Sequence, residues 1–388
     1  MPCYSELYQQ FDEVKQHLPR LSLPQLHGVV LWSIAIITGG ICSLSAAEIA
    51  LQGFEQQSLN TLRQRLREFY KDSKHKKGNK RCELKVFDHF PDLLRWVVNS
   101  SDDKNIAIAL DASNFRDRFV LLCISVVIRG CAIPVAWRIL PANKPGAWKP
   151  HWCSLLESLK DVIEPDRFVI VMADRGLYGK WLFKTITQLG WHPFLRVNEN
   201  GTFEPTKGTP SASFRNFLPK KGEIYRYYGR AFRGVNSLQC TLLVFFDDKH
   251  KPFYILTDVT SDVQADPIWY AMRFWIERQF KTLKTAGMQL QRTRLKEADR
   301  LERMLLPATI ALIHQISAGL EYEQNNKLDC NIAKKQRIRP SGTVGRRHSL
   351  ARMGAGILRT LLFQNKLLPP IKFINEKWPD YRTYFNSV

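Results

Sequence analysis

Four polar residues, Tyr270, Arg273, Glu277 and Lys284, follow the spacing Tyr-x2-Arg-x3-Glu-x6-Lys. On a single α-helix at roughly 100° per residue they project at roughly 0, −60, −20 and −40°, so one face carries all four. A carboxylate flanked by two cations and a phenol suits a group that holds a divalent metal beside a phosphate. Two more acids each close an apolar run: Asp111 follows Asn105 to Leu110, and Asp174 follows Phe168 to Ala173. Burying two such carboxylates side by side costs on the order of several kcal/mol unless a cation joins them. A hard divalent ion is the expected remedy, and Mg²⁺ takes few carboxylates together with water and substrate phosphate. Two ions suit in-line phosphoryl displacement, with Asp111 shared between them and Asp174 and Glu277 each completing one side.

Each acid also has a plain reading. A strand-end aspartate commonly serves as a turn or cap residue. Glu277 could pair with Lys281 one helical turn on. Arg273 and Lys284 could solvate a helix whose opposite stripe, Met272, Ile276, Phe280 and Leu283, packs inward. The nearby Asp102, Asp103 and Asp117 do not follow a clean apolar run.

The elements that must position these residues are legible in outline. Residues 1–95 read as helical and as a DNA-binding domain, with Leu59, Leu62, Leu66 and Phe69 on one stripe and Arg63, Arg65 and Arg67 off it. Ser45 to Glu48 reads as a capping box. Residues 96–198 read as the first part of a catalytic core. It comprises strands at Asn105 to Leu110, Arg118 to Arg129 and Cys131 to Leu140, with a tight turn at Arg129 and Gly130. A helix from Trp148 to Val162, a strand from Phe168 to Ala173, a helix from Lys180 to Leu189 and a strand from Trp191 to Asn198 follow. That order belongs to a ribonuclease H-like fold: an α/β mixed sheet flanked by helices. Residues 199–262 read as a β-rich insertion, 263–325 as the rest of the core with the Glu277 helix, and 326–388 as a basic C-terminal region.

The chain has 388 residues, 45% hydrophobic and 24% charged, enough for a large core. Lys and Arg number 57 against 36 Asp and Glu, a net charge of +21, which points to a polyanionic partner, nucleic acid before membrane. Arg292, Arg294, Lys296, Arg300 and Arg303 continue this charge beyond the signature, either as phosphate contacts or as a mixed-charge solvated face. Lys334, Lys335, Arg337, Arg339, Arg346, Arg347 and Arg352 extend it in the tail, where contact with the DNA backbone is expected. Eight scattered cysteines and nine histidines show no zinc spacing, so reduced thiols in a cytosolic compartment are expected. The stretch from Val29 to Leu44 is the single candidate for a membrane span. It is too short and is interrupted by glycines, so two core helices are expected instead. Glu6, Asp12 and Glu13 are a poor start for a signal peptide.

The signature, together with Leu110-Asp111-Ala-Ser and Ala173-Asp174-Arg-Gly-Leu-Tyr, resembles the DDE transposases of bacterial insertion sequences, the insertion sequence 4 family and its close relatives. The resemblance spans Asp111 to Lys284. It implies an enzyme that binds the terminal inverted repeats of its own element, cuts the DNA ends and joins the 3′-hydroxyls to target DNA. It maps Asp111, Asp174 and Glu277 onto a catalytic, metal-binding triad using Mg²⁺, with Mn²⁺ as a substitute. Tyr270, Arg273 and Lys284 map onto positions that hold DNA phosphates. Double-stranded DNA as partner, a homodimer on paired ends and a cytoplasmic, nucleoid-associated location follow from the same resemblance. So does an aromatic that stacks on a flipped base, for which Phe203, Tyr225, Tyr227, Tyr228, Phe232 and Trp269 are candidates. Two rivals stay open: a catalytically silent transposase-derived DNA-binding protein, and a structure-selective metal-dependent nuclease.

Overall fold

A computed structural model of the chain describes residues 4–52, 57–77, 82–142, 146–205, 209–220, 222–232, 237–246, 252–260, 265–325, 348–374 and 378–379. Five helices come first: α1 (Tyr4–His17), α2 (Leu23–Gly39), α3 (Leu44–Leu51), α4 (Leu59–Tyr70) and α5 (Phe90–Asn99). Helix α2 is apolar almost all round because it is a hub. It packs against α1, α3 and α4 and buries Leu26 and every residue from Gly28 to Ile37. It ends at Gly40, whose φ of 66° lies in the left-handed region that glycine adopts without a Cβ clash. The chain then bends by 88° into α3. The apolar stretch from Val29 to Leu44 thus belongs to two packed helices. Ser43, rather than Ser45, caps α3, accepting from the Ala46 amide at 3.2 Å. On α4, Leu62, Leu66 and Phe69 are buried, but Leu59, the first residue of the helix, is exposed at its rim.

The strands β1 (Asn105–Phe115), β2 (Phe119–Ile128) and β3 (Cys131–Pro141) form an antiparallel meander. Arg129 and Gly130 join the last two with φ of 39° and 79°, the left-handed pair that matches strand twist in a tight hairpin. Every residue of β2 except its last is buried, so its run is continuously apolar rather than alternating. Pro134 is tolerated because β3 is an edge strand with a register irregularity beside it. That edge is covered by a later helix, where Glu302 accepts the Ile139 amide at 2.9 Å.

There follow α6 (Lys149–Glu157), shorter than expected, β4 (Phe168–Ala173), α7 (Lys180–Gln188) and β5 (His192–Val197). Then come β6 (Thr202–Glu204), β7 (Ala212–Ser213), β8 (Ile224–Ala231), β9 (Leu238–Phe245) and β10 (Phe253–Thr257). Three helices complete the described chain: α8 (Phe274–Lys281), α9 (Ala298–Asn325), which carries Glu302, and α10 (Leu350–Phe363). The ten strands of the described residues share one mixed sheet in the order β3-β2-β1-β4-β5-β10-β9-β8-β6-β7, with β4 parallel to both β1 and β5. The later strands extend this sheet through β10, where Tyr254 pairs with Val197, rather than building a sheet of their own. A large mixed sheet flanked by helices is the expected α/β class.

Two further expectations change. Strand β1 does not end at Leu110; it runs on to Phe115 because the long apolar β2 continues to pair with it. The Val29 to Leu44 stretch is also not the single apolar candidate, since α9 is long and apolar enough to cross a membrane. Its apolar window is 94% buried inside the protein, as in a core helix, and α2, α10 and β3 pack on it. The tail cations Lys334, Lys335, Arg337, Arg339, Arg346 and Arg347 lie outside the described residues, and Arg352 lies in α10.

Candidate active site

Parallel pairing of β1 with β4 ends at Leu110 and Ala173. Asp111, still within β1, and Asp174, just past the end of β4, are the next residues on the two chains, so they leave the paired region as neighbours. Asp111 is therefore not at a strand end; it marks the point where β1 loses one neighbour and keeps the other.

The signature does not occupy one regular α-helix. Pro267–Arg273 is a 3₁₀ turn, α8 holds Glu277, and Thr282–Ala286 is a π turn containing Lys284. Asp266 starts the 3₁₀ segment by accepting the Ile268 amide at 2.9 Å. At the far end the amides of Gly287 and Met288 both reach the Thr282 carbonyl, at 3.1 and 2.9 Å, which widens the last turn. In the 3₁₀ segment, residues three apart eclipse, and the Arg273 guanidinium lies 5.8 Å from the centre of the Tyr270 ring. The inward stripe is as expected: Met272, Ile276, Phe280 and Leu283 are all buried.

Two of the signature residues, Tyr270 and Arg273, reach the acids, and Lys284 reaches a hydroxyl beside them. Arg273 donates from one nitrogen to Asp111 Oδ2 at 2.9 Å and from another to Glu277 Oε1 at 3.0 Å. Tyr270 donates its hydroxyl to Asp174 Oδ1 at 3.3 Å. Lys284 donates to Ser113 Oγ at 2.6 Å and sits over the Phe115 and Phe280 rings. Glu277 thus pairs with Arg273 rather than with Lys281. Ser113 was not singled out from the sequence, although two residues beyond Asp111 on a strand it must share that residue's face. Arg196 of β5, 6.0 Å from the Tyr270 ring centre, was missed for want of any motif.

Burial raises the proton affinity of Asp111, opposed chiefly by Arg273 and the Ala112 amide, with nearby Asp174 adding to the rise. Burial also pushes the Tyr270 phenol well up. Burial works against the charge of Arg273, yet Tyr270, Asp111, Asp174 and Glu277 together lift its pKa above the ordinary range. Lys284 is lowered by burial, with Asp111 partly opposing.

Three carboxylates supply hard oxygen donors of the kind Mg²⁺ and Mn²⁺ take. A cation already lies between two of them, in the form of the Arg273 guanidinium. The donor chemistry fits a divalent ion, although among the described residues no three His, Cys, Asp or Glu side chains are gathered closely enough to hold one as they stand.

Arg292 and Arg294 lie elsewhere. They line a cleft of about 610 Å³ with Arg63, Arg67, Lys71 and Lys296, bounded by α4 and the start of α9. Arg118 fixes this segment by donating to the carbonyls of Leu295 and Thr293 at 2.9 and 3.0 Å. Arg303 instead is buried, binding Asp72 at 2.7 Å and the Tyr70 carbonyl at 2.9 Å. Among the candidate stacking aromatics, Phe203 is buried against Phe214 and Phe217, and Trp269 packs with Phe168, Phe194 and Trp378. Tyr225 and Tyr227 pack edge to face, and Phe232 sits at a left-handed turn with φ of 63°. Tyr228 is 53% exposed on β8.

Residues 147–313 match the family model described as the transposase DDE domain. The matched stretch contains Asp174 and the whole signature from Tyr270 to Lys284, and begins after Asp111. This match supports a DDE transposase. No curated protein matches the sequence. Among solved structures the chain is similar to the piggyBac transposase in a synaptic complex with hairpin DNA. The identity is 10% and the TM-score 0.39, over 94% of this chain and 79% of that one.

Proposed function

We propose that this protein is a DNA transposase with a ribonuclease H-like core, related to the insertion sequence 4 family. It would bind the terminal inverted repeats of its own element, cleave the ends and join the 3′-hydroxyls to target DNA. What supports the reading is the set of hydrogen bonds from Arg273 to Asp111 and Glu277 and from Tyr270 to Asp174, in a chain of charge +21. Asp111, shared, with Asp174 and Glu277 would hold two divalent ions, Mg²⁺ or Mn²⁺, which supply an activated attacking oxygen and charge compensation at the leaving oxygen. The planar fork of Arg273 matches a phosphate as well as a carboxylate, so it and Lys284 would hold the DNA-end phosphates. Tyr270 keeps Asp174 oriented by its hydrogen bond. Residues 1–95 and the cationic cleft at Arg292 and Arg294 would grip the duplex backbone, and two protomers would pair the two ends in the cytoplasm.

The test is cleavage of a duplex carrying the DNA that flanks the gene, in Mg²⁺, by the wild type and by Glu277→Ala. The variant should lose strand cleavage by at least about 10³-fold while binding that duplex within a few-fold, since its carboxylate serves metal rather than DNA. Normal cleavage by Glu277→Ala would remove the residue from the site. Wild-type binding without any cleavage would favour a silent DNA-binding protein.

A further inference from the structure

We propose that Arg273 is the resident counter-ion of the carboxylate group and gates divalent-metal binding, leaving its acids only when a phosphate can take it; this rests on the functional reading above. Each of the three carboxylates already has a donor from the chain itself. Asp111 receives the Ala112 amide and Arg273, Glu277 receives Arg273, and Asp174 receives the Tyr270 hydroxyl. Arg273 is the cation among these donors, and its side chain is only 11% exposed, against 24% for Asp111 and 42% for Glu277. It is thus held inward on the carboxylates rather than extended into solvent.

The Arg273 guanidinium and the Lys284 ammonium on nearby Ser113 supply two positive charges against three carboxylates, so the group retains an appetite for a divalent ion. Arg273 holds one oxygen of each of two carboxylates, Asp111 Oδ2 and Glu277 Oε1, and the other oxygen of Asp111 accepts the Ala112 amide, so both Asp111 oxygens that such an ion could use already have a donor. Two cations at these same oxygens repel each other at short range in a half-buried place. Metal entry therefore requires the guanidinium to swing away. Its two-pronged donor face then needs another acceptor, and a phosphodiester provides the same bidentate geometry. Metal and DNA phosphate consequently favour each other's binding, and the coupling is reciprocal. The device keeps the free protein poorly metallated and holds its acids in place until a DNA end arrives.

The experiment is a Mn²⁺ titration of the full chain without DNA, read from the electron paramagnetic resonance signal of free Mn²⁺, with melting curves taken in parallel. Arg273→Gln should bind Mn²⁺ at least about tenfold more tightly than the wild type and show a larger Mn²⁺-dependent rise in Tm. Arg273→Lys, which keeps the charge, should stay near the wild type, and it stands alone as the test if circular dichroism shows that the Gln variant does not fold. Equal or weaker binding by Arg273→Gln, or tight binding by Arg273→Lys, overturns the gate. If Asp111→Asn abolishes Mn²⁺ binding in those cases, the site itself stands and only the gate falls. If Asp111→Asn changes nothing in any background, the ion is not held here and the functional reading falls with the gate.

Discussion

Asp111 is pulled two ways: burial raises its proton affinity, and the Arg273 guanidinium lowers it, with burial the stronger. A folded pKa above the unfolded value of about 3.9 means that the folded protein holds this proton more firmly than the unfolded chain does. Stability from this group is therefore lost as pH rises through that window and stays lost at neutral pH. Asp111→Asn should accordingly melt higher than the wild type at pH 7, with the gap closing as pH falls below about 4. A lower Tm at pH 7 would mean that the pairing with Arg273 outweighs burial. At this scale the sequence singles out Asp111, Asp174 and Glu277 because two follow apolar runs and one sits in a spaced signature, and the fold brings Arg273 to Asp111 and Glu277 and Tyr270 to Asp174. Where the cations point was not legible, since the choice of Arg273 between solvent, phosphate and carboxylate depends on groups more than a hundred residues away. Ser113, Arg118 and Arg196 carry no motif, and only the folded arrangement gives them partners.

Among the elements, strands announced themselves better than helix types. The turn at Arg129 and Gly130 and the strand Phe168 to Ala173 follow from local pattern alone, and both are present. The extension of β1 past Asp111 was hidden because Asp111 to Asn114 lacks apolar character; β2 imposes it. The 3₁₀ and π turns around α8 were hidden as well, for they depend on Asp266 and on where the Gly287 and Met288 amides find acceptors. Helix packing offers a pH test between α1 and α9. His314 Nε2 lies 3.9 Å from Glu13, too far for a hydrogen bond. Burial raises Glu13 to about 7 and lowers His314 to about 4, so each prefers its neutral form and the contact is not an ion pair around pH 6. The raised carboxyl costs stability as pH rises from about 4.5 to about 7, whereas the lowered imidazole costs stability as pH falls from about 6.5 to about 4. The two slopes oppose each other in the wild type. Glu13→Gln should leave only the second, so its Tm should climb with pH between 4 and 6.5 more steeply than that of the wild type. A profile unchanged by the substitution would put the charge on Glu13 throughout.

Across the whole molecule, the net charge of +21 and the cleft shared by α4 and the segment at Arg292 and Arg294 give the DNA reading its electrostatic basis. Each phosphate neutralised releases condensed counterions, so binding should weaken with salt at a slope of about −0.9 per contact. Arg292→Ala combined with Arg294→Ala should reduce the magnitude of that slope by about 2 while leaving the circular dichroism unchanged. An unaltered slope would make this cleft a solvated face. Whether Asp111, Asp174 and Glu277 serve a common metal site is decided by anomalous diffraction from crystals of the full chain bound to DNA ends and soaked in Mn²⁺. Mn²⁺ peaks are expected within about 2.0 to 2.3 Å of oxygens from all three carboxylates, with Arg273 turned onto a phosphate. Mn²⁺ held elsewhere, with Arg273 still bridging Asp111 and Glu277, would contradict a common site.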